Sequence, residues 1–253
     1  MSGGVLLRSS LFALFQLFIT PPFAAVALLT FPLPPLTRYR VISVWAKCNV
    51  AAARVICGIR YRMLGIEHIP REPCIILAKH QSAWETLAFQ CIFPPQVWVV
   101  KRELLWVPFF GWGLAMLSPI AIDRASGARA LRQTLEQGRD RLWKGFSIVI
   151  FPEGTRVAPG SRGTYHAGGA WLAVRTGTPV IPVAHDSGRC WGRNAFLKYP
   201  GLITVSIGEP IATRGVSVEA LNARVEHWIE TEMERLGVCQ TDVRQTPNEE
   251  PPG

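Results

Sequence analysis

Hydrophobic and polar positions divide the chain into an apolar beginning, a long middle of short apolar runs, and a polar end. From Ile66 onward, the apolar runs alternate with longer segments whose apolar residues recur at helical spacing. The runs predict strands at residues 74–78, 97–100, 119–122, 147–151, 180–183 and 202–207. Helices are predicted after Ser82 and at residues 126–144, 168–176 and 217–236. Apolar strands separated by helices predict an α/β fold, with a mostly parallel or mixed sheet flanked by helices.

The first long apolar stretch covers residues 11–33 and contains no charged side chain. A helix of this length can cross a hydrocarbon core of about 30 Å. Pro21 and Pro22 interrupt the stretch, because proline lacks a backbone N–H and its ring clashes with the preceding turn. The stretch therefore predicts either one kinked spanning helix or two short helices that dip into one leaflet. A signal peptide is a third alternative, since Ala25-Val26-Ala27 resembles a cleavage site, although the apolar run continues beyond it.

Basic residues are concentrated after the apolar stretch. Arg8 alone precedes it, whereas several basic residues follow it: Arg38, Arg40, Lys47 and Arg54. This asymmetry predicts that the following segment stays on the cytoplasmic side. Residues 39–59 alternate basic and apolar positions, and the apolar face is predicted to include Val41, Val44, Trp45 and Val55. Such a segment fits a helix lying on an anionic bilayer, or a helix packed on the protein core.

The chain is long enough, at 253 residues, to bury one sizeable core. We expect a membrane-associated helical segment at 1–59, a globular domain at 60–236 and a disordered polar tail at 237–253. The net charge of +9 indicates an anionic partner such as a membrane surface, CoA, a phosphorylated lipid or nucleic acid. Nucleic acid is the weakest of these, because the basic residues are not interleaved with aromatic ones. The six scattered cysteines indicate reduced thiols and no zinc site.

A histidine and a carboxylate come directly after the first predicted strand. His80 and Glu85 are five residues apart, and on a regular helix such residues point about 140° away from each other. They can meet only if His80 precedes the helix. Ser82 and Glu85 have the spacing of a capping box, in which Ser82 is the N-cap and Glu85, at N3, folds back toward it. Glu85 could then orient one imidazole nitrogen while the other removes a proton from a hydroxyl, or it could only cap the helix.

Other polar residues follow other predicted strands. Lys101 and Arg102 follow the second strand, Arg124 comes after the third, and Phe-Pro-Glu-Gly-Thr-Arg ends the fourth at residues 151–156. Gly154 lets backbone amides approach an anion, and Arg156 offers a planar guanidinium suited to phosphate. Because ligands bind at the carboxyl ends of strands in α/β sheets, we expect these residues to form a pocket for an anionic substrate beside His80.

Taken together, these segments resemble the glycerolipid acyltransferase superfamily, in particular the bacterial 1-acylglycerol-3-phosphate acyltransferases. The resemblance covers roughly residues 60–210 and lies in ordered blocks: residues 65–70, His80 to Glu85, Lys101-Arg102-Glu103-Leu104 with Pro108 and Gly111, residues 151–156, and Val180-Ile181-Pro182-Val183. It implies a glycerol-3-phosphate acyltransferase-like fold. The family usually has aspartate where this chain has Glu85, and the extra methylene moves the carboxylate by about 1.5 Å.

The resemblance implies transfer of a fatty acyl group from acyl-CoA or acyl-carrier protein to the sn-2 hydroxyl of 1-acylglycerol-3-phosphate, which gives phosphatidic acid. His80 and Glu85 would be catalytic. The substrate-binding residues would be Lys101, Arg102, Arg124, Glu153, Gly154, Thr155 and Arg156. No metal or tightly bound cofactor is implied. The partners would be the bilayer, a lysophospholipid and the acyl donor, at the cell inner membrane with the catalytic domain facing the cytoplasm.

Alternative functions stay open at this point. The acceptor could be another lysolipid, such as a lyso-ornithine lipid, or the chain could bind membrane lipids without catalysis. A serine hydrolase using Ser82 with His80 is less favoured, because no G-x-S-x-G elbow is present. His68, His185 and His227 are interpreted as structural or surface histidines, and His166 is left unassigned.

Overall fold

The strands form one mixed sheet in the computed structural model, which describes residues 3–123 and 128–237. Within these residues the sheet has seven strands in the order β1-β7-β6-β2-β5-β3-β4. Their bounds are β1 Ile59–Leu64, β2 Ile75–Ala78, β3 Gln96–Lys101, β4 Ile120–Ile122, β5 Ser147–Ile150, β6 Val180–His185 and β7 Gly201–Ile207. Every neighbouring pair is parallel except β6 and β7, which are antiparallel. The predicted α/β fold class is confirmed.

The centre of the sheet is β2, between β5 and β6, and all of its side chains are buried. A strand covered on both faces needs apolar residues at every position, which is why the sequence shows continuous runs there. The sequence did not predict β1, which pairs in register with β7 at the sheet edge. Its Arg60 and Arg62 alternate with apolar residues, so the strand lacks the continuous run that marks the central strands.

The helices that cover the sheet are α3 Trp84–Ile92, α4 Phe110–Met116, α5 Ala128–Trp143, α6 Gly168–Thr176 and α7 Val218–Arg235. In α7 the apolar residues at helical spacing are buried, including Leu221, Val225, Ile229 and Met233. In α5, Leu135 and Leu142 pack against the core, while Leu131 is 41% exposed. The short helix α4, which contains glycines, was not predicted.

The N-terminal helix α1 extends from Gly3 to Leu29 and includes Pro21 and Pro22. The predicted division into two short helices is therefore wrong within the described residues. Phe12 before the prolines and Ala27 after them are both buried, so packing holds both halves of the helix against the protein. Helix α1 packs on α4 and on the second N-terminal helix, and its length and composition would be enough to cross a membrane.

The second N-terminal helix, α2, runs from Pro35 to Cys57. Pro35 suits the first helical turn, and Gly58 ends the helix in the left-handed conformation at φ 73°. Helix α2 packs on α1 and α3, so it is packed on the core. Of the residues predicted for its apolar face, Trp45 packs against the core, whereas Val44 is 41% and Val55 is 83% exposed. The buried face instead combines larger with small residues that allow close approach: Tyr39, Ile42, Ala46, Val50 and Ala53. The division into segments 1–59, 60–236 and 237–253 stays a prediction, and residues 238–253 lie outside the described part.

Candidate active site

His80 lies just beyond the carboxyl end of β2, where the chain leaves the sheet before α3. Its Nδ1 is 2.8 Å from Oε1 of Glu85, and its side chain is 14% exposed. The two residues meet because His80 precedes the helix while Glu85 lies in its first turn. A carboxylate can accept only, so His80 donates Nδ1–H and its opposite nitrogen, Nε2, is left with the lone pair.

The carboxylate of Glu85 is fully buried and accepts several hydrogen bonds. Besides His80, Oε1 receives the backbone N–H groups of Gln81 at 3.0 Å and Ser82 at 2.8 Å. This is the backward reach expected of a capping box, but the predicted N-cap is shifted by one residue. The helix starts at Trp84, which makes Ala83 the N-cap. The Ser82 hydroxyl nevertheless accepts from Trp84 N at 3.0 Å, as a capping side chain does. The fold-back that joins Glu85 to His80 is present despite this shift.

One residue at the end of β6 and one just beyond it also lie near Glu85, and the sequence did not point to them. Ser187 donates its hydroxyl to Oε2 of Glu85 at 3.0 Å. His185 is buried and donates Nε2–H to the carbonyl of Lys79 at 2.8 Å, and burial lowers its pKa. The sequence interpreted His185 as structural. Only the sheet order, which places β6 beside β2, brings these residues to Glu85.

Glu85 is ionised in spite of its burial. Burial alone would raise its pKa, but the neighbouring imidazoles of His185 and His80 and the N–H of Ser82 outweigh burial and lower the pKa to about 2. The carboxylate therefore keeps its negative charge at neutral pH. A fixed negative charge at 2.8 Å stabilises a positive charge on the His80 ring, which is what a general base needs when it takes up a proton.

The turn after β5 forms the other side of the histidine. The ring of Phe151 stacks on the imidazole of His80, with centroids 3.9 Å apart and planes 12° apart. The backbone N–H of Val157 donates to the carbonyl of His80 at 2.8 Å. Gly154 adopts a positive φ of 68°, and its N–H donates to Phe151 O at 2.9 Å, which closes the turn. Phe151 and Glu85 together fix the orientation of the imidazole.

An apolar cavity of about 480 Å³ opens beside His80. Its walls come from α1, α2, α3, β3 and α4, and they include Ala24, Ile42, Leu87, Val99 and Leu114. Cationic and polar residues line the same cavity as His80: Lys101, Gly154, Thr155, Arg156, Arg193 and Asn194. The cavity therefore combines a hydrocarbon-like interior with a basic group of residues and a histidine.

The predicted substrate-binding residues do not all lie at this cavity. Lys101, Gly154, Thr155 and Arg156 line it, whereas Arg102 begins a 3-10 helix, Arg102–Trp106, and is not among the lining residues. Arg124 lies outside the described residues. The lining residue Arg193 was missed because it lies in an irregular loop with no motif.

Glu153 also lies away from the cavity, contrary to the prediction of a substrate-binding role. Its carboxylate is taken up by internal partners: Lys79 Nζ at 2.8 Å, His80 N at 3.1 Å and Gly163 N at 3.1 Å. Because Glu153 is buried and makes these hydrogen bonds, it has a structural role in the turn.

The acyltransferase family model matches residues 60–186. The chain belongs to the acyltransferase family. The matched region of this acyltransferase starts in β1 and ends directly after β6, so it contains His80, Glu85, Lys101 and the turn at 151–156. The resemblance read from the sequence motifs is confirmed.

Named relatives of this acyltransferase occur in bacteria and animals. The chain is 46% identical over 215 residues to a 1-acyl-sn-glycerol-3-phosphate acyltransferase of Pseudomonas aeruginosa, covering 83% of this chain and 84% of that one. It is 30% identical to the mouse 1-acyl-sn-glycerol-3-phosphate acyltransferase alpha, covering 69% and 64% of the two chains. The crystal structure of the Thermotoga maritima 1-acyl-sn-glycerophosphate acyltransferase PlsC has the same fold, with a TM-score of 0.76, 22% identity, and coverage of 96% and 98%.

Proposed function

We propose that this acyltransferase moves a fatty acyl group from an acyl thioester, acyl-CoA or acyl-carrier protein, to the sn-2 hydroxyl of 1-acylglycerol-3-phosphate. The observation that carries the proposal is the His80–Glu85 pair, 2.8 Å apart, beside a cavity that is apolar inside and carries Lys101 and Arg156. A lysophospholipid is complementary to this site. Its hydrocarbon chain suits the apolar interior, its hydroxyl suits His80, and its phosphate suits Lys101 and Arg156. The names of the relatives support the same acceptor.

The proposed reaction proceeds without an acyl-enzyme. Nε2 of His80 removes the proton from the sn-2 hydroxyl, and the hydroxyl oxygen attacks the thioester carbonyl to give a tetrahedral oxyanion. Glu85 stabilises the imidazolium that forms and holds its tautomer. The oxyanion then collapses, the carbon–sulfur bond breaks, and the leaving thiolate takes the proton from His80. The histidine returns to its neutral form, so the cycle requires neither a metal nor a cofactor.

Lys101 and Arg156 are proposed to bind the acceptor phosphate. Within the described residues, Nε of Arg156 is buried without a hydrogen-bond partner, while the residue lines the cavity. A guanidinium with an unused donor suits a phosphate oxygen, since charge-assisted hydrogen bonds are the strong ones. Lys101 stands at the end of β3 and is exposed, so it can reach the phosphate as a point charge.

The protein is proposed to work on one leaflet of the cell inner membrane, with its catalytic domain on the cytoplasmic side. Helix α1 contacts the domain near both ends: Ser9 accepts from Lys198 N at 2.9 Å, and Ala27 lines the cavity. A single helix held along the domain in this way favours an N-terminal segment that enters one leaflet over one that spans the bilayer. Exposed aromatic residues beside the cavity support membrane contact: Trp106, Phe109, Phe110 and Trp112.

Donor–acceptor profiling of the purified protein in detergent micelles tests this proposal. We expect acyl transfer to 1-acylglycerol-3-phosphate in preference to lysophosphatidylcholine or a lyso-ornithine lipid, because only the first presents a phosphate monoester to Lys101 and Arg156. Lys101→Ala should weaken binding of the acceptor more than that of the donor. Thioester hydrolysis that is unaffected by any acceptor, or lipid binding without turnover for all pairs, would contradict the proposal.

A further inference from the structure

A buried ion cluster lies directly behind the catalytic histidine. Lys79, the residue before His80, is 1% exposed, and its Nζ contacts Glu153 Oε1 at 2.8 Å and Glu230 Oε1 at 2.9 Å. It also donates to the carbonyl of Ser161 at 3.2 Å. A buried ammonium requires such partners, because an unpaired charge in the interior is strongly destabilising.

The cluster reaches the catalytic residue through Glu153. One oxygen of this carboxylate contacts Lys79, and the other accepts the backbone N–H of His80 at 3.1 Å. The peptide N–H of the catalytic histidine is thus held by a carboxylate whose position depends on the lysine. A displacement of Lys79 or Glu153 would move the main chain from which the imidazole projects.

The cluster also ties helix α7 to the active site. Glu230 lies on α7, outside the region matched by the family model, and it accepts the hydroxyl of Tyr165 at 2.7 Å. Burial and the adjacent Glu230 carboxylate raise the pKa of Tyr165, so the hydroxyl stays protonated and serves as donor. Glu230 is therefore held between a lysine and a tyrosine, with each contact below 3 Å.

The cluster contains one cation and two carboxylates, so its net charge is −1 when all three are ionised. This negative charge adds to that of Glu85 on the other side of His80. Charges in a buried setting act over several ångströms with little screening. The imidazolium formed during acyl transfer would therefore be stabilised by the cluster as well as by Glu85.

We propose that Lys79, Glu230 and Tyr165 are positioning residues which act through Glu153 to hold the main chain of His80 and to set the charge behind its ring. This inference rests on the proposed function, since it assigns His80 the role of the base. None of the three residues lines the cavity. Their effect should therefore fall on the chemical step and leave substrate binding unchanged.

The test uses charge-changing variants assayed for acyl transfer across pH. Lys79→Met leaves two carboxylates (−2), Glu230→Gln leaves a neutral cluster, and the double variant restores −1. We expect each single variant to lower kcat by about 10-fold to 100-fold while KM for donor and acceptor changes less than about 2-fold. The acid limb of the kcat/KM profile should move by about one pH unit, upward in Lys79→Met and downward in Glu230→Gln. The double variant should return this limb to the wild-type position, because its net charge is again −1, but its kcat should stay low, because Lys79 no longer holds Glu153.

The surface ion pair between Arg162 and Glu226 provides a matched control. It joins the same loop to the same helix at 2.6 Å, with the Arg162 side chain 62% exposed and the Glu226 side chain 25% exposed. Glu226→Gln should leave kcat and the pH profile unchanged. The other charged or titratable groups around His80, which are Glu85, Arg156 and His185, are the same in all variants.

Several results would overturn the inference. These are acid limbs that move in the same direction in both single variants, losses confined to KM, or a double variant whose acid limb does not return toward the wild-type position. If Lys79→Met does not fold, as judged by circular dichroism and size exclusion, Glu230→Gln and Tyr165→Phe carry the test under the same criteria. The proposed function has its own test, because it is wrong if His80→Ala keeps its activity. If His80→Ala is inactive but the cluster variants behave like the wild type, only the positioning role is wrong.

Discussion

The Ser187 hydroxyl donates a hydrogen bond to Oε2 of Glu85 at 3.0 Å, on the opposite side of the carboxylate from His80. Both oxygens of Glu85 are therefore engaged, and the residue bridges the start of α3 and the end of β6. This bridge explains how a glutamate fills a position where aspartate is usual in the family. The longer side chain spans the gap between the histidine and Ser187, and the N–H groups of Gln81 and Ser82 hold it there.

The length of the Glu85 side chain gives the first prediction. The family pattern alone suggests that Glu85→Asp retains or raises activity. The geometry predicts the opposite, because a carboxylate about 1.5 Å shorter cannot keep both the His80 and the Ser187 contacts without moving the main chain. We expect kcat to fall about 10-fold in Glu85→Asp and at least about 100-fold in Glu85→Gln, which also loses the charge. Steady-state kinetics at saturating substrates measures both values.

Ser187→Ala is the companion variant for this prediction. If Ser187 sets the position of the long carboxylate, its loss should cost less in the Glu85→Asp background than in the wild type. Strictly additive effects in this double-mutant cycle, or equal activity in all Glu85 variants, would leave helix capping as the only role of Glu85.

The second prediction concerns pH. Glu85 has its pKa lowered to about 2, so it stays ionised over the range of about pH 5 to 9 in which the enzyme can be assayed. Burial lowers the pKa of His185, which favours its neutral form. As the pH falls, only protonation of His80 should remove the base. The logarithm of kcat/KM should therefore decline with a slope of one on the acid side, and a slope approaching two would show that Glu85 or another group titrates as well.

The third prediction concerns acyl-chain length. Gly113 on α4 lines the apolar cavity, and a Cβ atom there would meet nothing within 4 Å. Gly113→Leu should fill part of the cavity without a clash, and removal of a helical glycine should not destabilise α4. We expect relative kcat/KM to shift toward shorter acyl chains in assays with a chain-length series. Gly168→Leu is the control, since that site is equally open but does not line the cavity. An identical profile in Gly113→Leu would mean that the cavity does not hold an acyl chain.

The fourth prediction concerns the exposed aromatic residues beside the cavity. Trp106 is 79% exposed and does not line the cavity, so its exposure is explained if it lies at a lipid surface. Trp106→Ser should raise KM by about 3-fold to 10-fold for an acceptor presented in anionic vesicles. It should leave KM unchanged for the same acceptor in detergent micelles. Equal changes in KM in both assays would show that Trp106 does not contact the membrane.

The sequence predicted the central strands well because burial on both faces demands continuous apolar runs. It also predicted the meeting of His80 and Glu85, since the fold-back is a local event within six residues. It did not predict β1, whose alternating arginines suit an edge strand, or most of the buried face of α2, where alanines lie among the larger apolar residues.

The rest of the site depends on the arrangement of distant segments. Ser187 and His185 reach Glu85 only because β6 lies beside β2. Lys79 contacts Glu230, which lies 151 positions later in the sequence. Pairings of this kind follow from sheet order and helix packing, and a single sequence carries no local signal for them. Glu153 shows the same limit: its motif suggested substrate contact, but its partners are internal.

The most direct measurement for the whole account is the acyl-transfer rate of His80→Ala, with His227→Ala as a control because His227 is an exposed histidine on α7. Both proteins should fold and bind detergent micelles as the wild type does. We expect His80→Ala to lose at least about 10³-fold in kcat/KM, and His227→Ala to stay within about 2-fold of the wild type. Activity of His80→Ala near the wild-type level would contradict the assignment of His80 as the base.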